Sequence, residues 1–191
     1  MSDQSLATAL ENLFPGCSSF LEYGTGNSTI QAAKAGMMVF SVETDWKYFL
    51  QITEQLETEI LEKKVWPFYC DIGPVRDWGY PMKETPDPTF LRYPLYPWIQ
   101  AQRMQVDPEL VLIDGRFRIA SFVASYQRAK PGAHILFNNY FSRPHYQEVE
   151  LISPVSSSVD DIALFTVTEL AQISLNDEKI MMLVEHFLDP R

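Results

Sequence analysis

The feature that most constrains this chain is an alternation between two hydrophobic periods. Short, nearly continuous apolar runs are each followed by a stretch whose apolar positions recur at helical spacing. Ser19 to Tyr23 is the first run; it breaks at Gly24, and Ser28 to Ala35 then reads as a helix. Met37 to Val42 is the second and ends at Glu43, after which Asp45 offers an N-cap and Phe49, Ile52, Leu56 and Ile60 share one helical face. Val65 to Tyr69, Leu110 to Ile113 and Ala133 to Phe137 read as three further strands. Ile119, Phe122, Val123 and Tyr126 mark the helix after the fourth, and Pro131-Gly132 turns the chain into the fifth. Strands that are apolar on both faces and separated by helices predict an α/β fold, a parallel sheet whose crossovers cover both sides. The tail differs. Glu148 to Ile152 and Ile162 to Val167, joined by the serines around Ser156 to Ser158, read as an antiparallel edge pair. Asn176 to Leu188 reads as a last amphipathic helix with Ile180, Leu183, Val184 and Phe187 on one face and Pro190 beyond its end.

With 191 residues, 46% of them apolar, the chain suits one domain spanning 1–191 with a sizeable core. Its net charge of −10 opposes binding to nucleic acid or to an anionic membrane surface, both of which need Lys and Arg against phosphates. The opening MSDQSLATALENLF lacks the basic and apolar regions of a signal peptide, and no later window is long enough to span a bilayer, so the expected location is cytoplasmic. Cys17 and Cys70 are too few for a disulfide framework and lack metal-ligand spacing; buried, reduced thiols are expected.

In a doubly wound sheet the ligand crevice lies outside the carboxyl ends of the strands. Those ends carry Glu22-Tyr23-Gly24-Thr25-Gly26-Asn27-Ser28, then Glu43, Asp71-Ile72, Asp114-Gly115 and Asn138-Asn139-Tyr140. The glycines let backbone approach a ligand, and the helix that follows presents its N-terminus to an anion such as a carboxylate. An ionised carboxylate closing the second strand is suited to two vicinal ribose hydroxyls, which makes Glu43 the ribose ligand. Each residue alone is equally a polar marker of a strand surfacing; their order along consecutive strands is what carries weight.

With these motifs the sequence resembles the class I S-adenosylmethionine-dependent methyltransferases over Phe20 to Tyr140, and within them an uncharacterised bacterial methyltransferase-like group carrying the Asp-Gly-Arg-Phe-Arg run, here Asp114 to Arg118. The resemblance implies a Rossmann-like three-layer αβα sandwich: a mostly parallel seven-stranded sheet with an antiparallel edge hairpin. It further implies S-adenosylmethionine as cofactor, bound by Glu22, Tyr23, Gly24, Gly26, Ser28, Glu43, Asp71, Ile72 and Asp114. In that scheme Gly24 and Gly26 hold the methionine part, Asp71 reaches the adenine amino group and Ile72 flanks the ring. The competing reading of the loop is a nicotinamide dinucleotide site, as in an NAD-dependent dehydrogenase; Thr29 stands where that fingerprint has its third glycine.

The expected activity is methyl transfer to an oxygen or nitrogen of a small-molecule acceptor, with a catalytically silent S-adenosylmethionine-binding protein as the alternative. In metal-dependent O-methyltransferases of this class the matching metal positions are Asp114, Asn138 and Asn139. An Asp is expected where Asn138 stands, which leaves one formal negative charge among three ligands and argues against a divalent cation. Phe117 occupies the place of the lysine base those enzymes carry. Asp114 and His145 are then the candidate catalytic residues, while His134, inside an apolar strand, reads as a satisfied core residue. Arg116, Arg118, Arg143 and His145 form either a positive patch for an acidic substrate group or solvated side chains pairing with the excess carboxylates. The stretch 71–108 holds Trp78, Tyr80, Phe90, Tyr93, Tyr96 and Trp98 among many prolines. It reads as a lid over the acceptor, or as aromatics that cap the sheet edge or bury a homodimer contact.

Overall fold

The structure, a computed structural model, describes residues 2–83, 85, 87–169, 177–183 and 187–191. All five apolar runs are strands: β1 (Ser19–Tyr23), β2 (Met38–Glu43), β3 (Val65–Tyr69) and, after a two-stranded ribbon of β4 (Val75–Arg76) and β5 (Tyr80–Pro81), β6 (Leu110–Ile113) and β7 (His134–Phe137). They pair in parallel in the order β3-β2-β1-β6-β7. The hairpin of β8 (Ser157–Val159) and β9 (Ile162–Thr166) completes seven strands, with β9 antiparallel to β7. The sheet is therefore the expected Rossmann-like one. Strand order reverses between β1 and β6, so the crevice opens at the carboxyl ends of those two strands.

Helices cover both faces: α1 (Ser2–Leu13), α2 (Asn27–Lys34), α3 (Trp46–Gln55), α4 (Glu57–Leu61), α5 (Arg92–Arg103), α6 (Arg118–Arg128) and α7 (Asp177–Leu183). The period of two along β1 sorts the core. Phe20 packs with Leu6, Leu10, Ala32 and Ile52 on one face, whereas Leu21 and Tyr23 pack with Tyr93, Trp98 and Phe122 on the other. Asp45 caps α3 as expected, its Oδ1 accepting from the amides of Lys47 at 3.0 Å and Tyr48 at 3.2 Å. Cys70 is buried and Cys17 half-buried, and both are free.

Four elements differ from the sequence reading. Glu148 to Ile152 is not a strand: Pro144–Leu151 forms a 3-10 helix that buries Tyr146 and Val149, with Ile152 buried just beyond. A spacing of three is the 3-10 period, and Pro144 at its start supplies the fixed φ. The hairpin partner of β9 is instead the exposed, serine-rich β8, turned at Asp160 with φ +50°. Second, the polar opening is helix α1, whose Leu6 and Leu10 are buried one turn apart. Third, the aromatic stretch divides. Its second half is α5, the crossover helix between β3 and β6, where Tyr93 and Trp98 are core residues despite Pro97 inside the helix. Last, α7 begins at Asp177 and buries Leu183; Asn176 and Val184 lie outside the described residues. The chain then returns to α6, where the Pro190 and Arg191 carbonyls accept from the amides of Phe117 and Arg118, both at 3.4 Å. Among the described residues no helix is long and apolar enough to cross a membrane.

Candidate functional site

Two loops meet face to face at the reversal of strand order. Gly24, at φ +98°, turns the chain out of β1, and a Cβ on it would lie 2.9 Å from the Gly115 Cα. A Cβ on Gly115 would lie 2.8 Å from the Gly24 nitrogen and 2.0 Å from the Tyr93 hydroxyl. Each loop therefore requires a glycine because the other is there. Beside them opens a cavity of 510 Å³, bounded by Gly24 to Ser28, Glu43, Asp45, Tyr48, Asp114, Gly115 and Arg116, with Leu6, Ala7 and Leu10 of α1 and Trp78 at its edges. That volume lies within the range of small-molecule sites.

Two carboxylates sit under this cavity in different states. Glu22 is fully buried and clasps the glycine loop, accepting from the hydroxyls of Ser28 and Thr29. Thr29 Oγ1 in turn accepts from the Gly26 amide at 2.8 Å. Burial raises the Glu22 pKa to about 8, against the lowering effect of those two hydroxyls. Glu43 lines the cavity. Its Oε1 accepts from the amides of Thr44 at 2.6 Å and Asp45 at 2.9 Å, and Oε2 has no partner among the described residues. Burial pushes its pKa up to about 7, opposed by the two amides. Thr25, 1% exposed and part of the cavity wall, has a hydroxyl without a hydrogen-bond partner among the described residues.

The Asp114–Arg118 run forms a clasp. Arg118, 2% exposed, folds its guanidinium back under the loop: Nε donates to the Gly115 carbonyl at 2.9 Å, one amino group to the Asn138 carbonyl at 2.5 Å, and the other to the Asp114 carbonyl at 2.8 Å and to Asp114 Oδ1 at 3.1 Å. The Asn138 amide also donates to Asp114 Oδ1, at 2.9 Å. Phe117, left-handed at φ +51° and fully buried, makes the turn that lets Arg118 point inward. Asp114, Asn138 and Asn139 thus offer one carboxylate, already facing a fixed positive charge. A divalent ion at carboxylate distance from Oδ1 would be repelled by that guanidinium, so this donor set does not fit one. Among the described residues no cluster of three His, Cys, Asp or Glu is placed to hold a metal.

Of the residues singled out from sequence, Gly24, Gly26, Ser28, Glu43 and Asp114 line the cavity, and Glu22 braces it from behind. Tyr23 does not line it: its hydroxyl is spent in the core, donating to the Pro94 carbonyl at 2.8 Å. Asp71 is exposed, accepts from the Gly73 amide and stands outside the cavity wall, while Ile72 is buried in the core. His145 rests on the Tyr146 ring away from the wall, and His134 is partly buried beside Thr166. Arg118 is not part of a surface patch, because its side chain is buried. Sequence reasoning named Thr25 only as part of the glycine loop and Trp78 only as part of the aromatic stretch, and it missed Tyr48 and the α1 residues as cavity lining. Of these, only Leu6 and Leu10, four apart in an otherwise polar opening, gave a signal.

No protein-family model matches the chain. No curated protein matches it either. Solved structures do. A methyltransferase-like protein from Silicibacter pomeroyi superposes with a TM-score of 0.82 at 28% identity, covering 97% of this chain and 95% of the other. An O-methyltransferase from Bacillus cereus in complex with SAH gives 0.50 at 19% identity, covering 97% of this chain and 68% of the other. A candidate caffeoyl-CoA O-methyltransferase from Staphylococcus aureus gives 0.56 at 14% identity, covering 85% of this chain and 81% of the other. The fold is that of the Rossmann-like methyltransferases.

Proposed function

We propose that the 510 Å³ cavity binds S-adenosylmethionine and that the protein transfers its methyl group to an oxygen or nitrogen of a small molecule. The observation that carries this reading is the convergence of the glycine loop, the free oxygen of Glu43 and Asp114 on one cavity at the reversal of strand order. Glu43 Oε2 would accept from the ribose hydroxyls, and the Thr25 hydroxyl and the start of α2 would receive the amino-acid end. Trp78, 87% exposed at the cavity edge and held at φ +64°, closes over the bound cofactor as a lid. When bound, the cofactor supplies an electrophilic methyl group on a sulfonium.

Asp114 has the position to receive the acceptor's proton. Arg118 and Asn138 both hold Oδ1, which fixes the carboxylate while Oδ2 takes no hydrogen bond from any described residue. Asp114 Oδ2 would take the proton that the acceptor's oxygen or nitrogen gives up as it is methylated. The donor set around Asp114 does not fit a divalent ion, so this reading has the transfer proceed without one. Transfer of labelled methyl across a panel of hydroxyl and amine acceptors tests this. Product that persists in EDTA and falls about a hundredfold in Asp114→Asn is the expected result. A second reading, a protein that binds the donor without turnover, is favoured by the two bonds already made to Asp114 Oδ1. It predicts donor binding and no product with any acceptor.

A further inference from the structure

Beside the cofactor cavity two arginines share one aromatic ring. The guanidinium of Arg76 lies 4.9 Å from the centroid of Tyr80, and that of Arg116 lies 5.3 Å from it. In a chain with 25 acidic and 15 basic residues, neither arginine has a carboxylate within ion-pair distance among the described residues. Arg116 Nε is also buried without a hydrogen-bond partner among the described residues. Two like charges on one ring repel, and a buried guanidinium N–H with no acceptor costs free energy. An oxyanion accepting from both guanidiniums offsets both penalties.

There is a place for its carrier. A second cavity, of 360 Å³, has Arg76, Tyr80 and Lys83 on its wall with Met82 and Phe90 as apolar surface. Arg116 lines the first cavity and lies over Tyr80, which lines the second, so the arginine–tyrosine stack stands where the two adjoin. Two described carboxylates at the second cavity already have cations of their own: Asp87 pairs with Lys83, and Asp189 with Arg191. That leaves Arg76 and Arg116 as the uncompensated charges, and guanidinium forks match carboxylate and phosphate oxygens in pairs.

We propose that the methyl acceptor is a small molecule whose carboxylate or phosphate is held by Arg76 and Arg116 where the two cavities adjoin, with its nucleophilic atom reaching into the first cavity toward Asp114 and an apolar or aromatic part lying against Phe90 and Met82 in the second. This deepens the methyltransferase reading by naming the acceptor class, and it rests on that reading only in calling the bound molecule an acceptor.

The test is calorimetric titration of the 191-residue chain with benzoate, phenyl phosphate and the neutral benzamide, each with and without SAH. At least one anion binds in the millimolar range or tighter, and benzamide does not. The anion that binds more tightly tells carboxylate from phosphate. Arg76 is exposed, so Arg76→Gln keeps its melting temperature; it weakens anion binding about tenfold, with Arg76→Lys between the two. Arg116→Gln weakens it likewise. Failure of both anions to bind, benzamide binding as tightly as benzoate, or unchanged affinity in Arg76→Gln overturns the inference. Anion binding without SAH binding keeps this site and removes the methyltransferase reading; SAH binding without anion binding removes this inference alone.

Discussion

Replacing Arg118 by methionine isolates the interaction that holds the site together. The guanidinium makes three hydrogen bonds to backbone carbonyls of two loops and one to Asp114, from a side chain that is 2% exposed. Hydrogen bonds to a charged donor contribute about 1.5–3 kcal/mol each, which for four would give roughly 6–12 kcal/mol. Two effects reduce that sum. Desolvating the guanidinium already costs several kcal/mol, and the Asp114 side chain, 31% exposed, regains water when its partner leaves. The expected loss is therefore near that of breaking a buried ion pair, about 3–5 kcal/mol. Arg118→Lys recovers less than half, because one ammonium cannot reach the carbonyls of Gly115 and Asn138 and the carboxylate together. Urea denaturation of the three proteins measures this, with the midpoint falling and the slope unchanged. The methionine variant also loses transferase activity by more than its unfolded fraction explains, because Asp114 is no longer fixed. A loss below about 1 kcal/mol would refute the reasoning, since the clasp would then be a solvent-compensated contact.

Gly115→Ala places a Cβ 2.8 Å from the Gly24 nitrogen, so it destabilises by at least about 1–3 kcal/mol and abolishes donor binding; adding Tyr93→Phe does not restore either, because the backbone clash remains. Affinity for SAH rises as pH increases through about 7, because the hydroxyls it offers favour ionised Glu43; calorimetry across pH 6 to 8 shows the rise, and Glu43→Gln flattens it. Glu22, with a folded pKa of about 8 against an ordinary 4.5, binds more protons folded than unfolded between those values. Stability of the ligand-free protein therefore falls as pH rises from about 5 to about 8, and thermal melts of Glu22→Gln lose the largest part of that slope. Trp78→Ala weakens SAH binding about tenfold without changing the melting temperature, as expected if stacking is lost from an exposed edge residue.

Much of this organisation was legible because the signals were periodic. Four of the five parallel strands are almost wholly buried and the edge strand β3 partly so, and they therefore read as nearly continuous apolar runs; the glycine loop, Glu43 and Asp114 fall at their ends by topology alone. The hairpin partner of β9 was not legible, since β8 is fully exposed and carries no alternation, while Tyr146, Val149 and Ile152 supplied apolar residues to a segment of different period. Helix α5 was hidden by its prolines: Pro94 and Pro97 read as loop punctuation, and only packing, with Tyr96 stacked on Phe68 and Trp98 set against α6, overrides that. Arg118 misled for a related reason. An arginine is exposed unless acceptors converge on it, and the Gly115 and Asn138 carbonyls that do so come from two separate strand ends. Asp71 is the converse case, a residue placed by resemblance that stands outside the cavity wall.

Calorimetric titration with S-adenosylmethionine, SAH and NAD at neutral pH is the most direct test of the central claim. One site per chain for S-adenosylmethionine and for SAH, competitive with each other, weakened in Glu43→Gln and absent for NAD, is the predicted result. No heat from either sulfur ligand at millimolar concentration, or preferential binding of NAD, would contradict it.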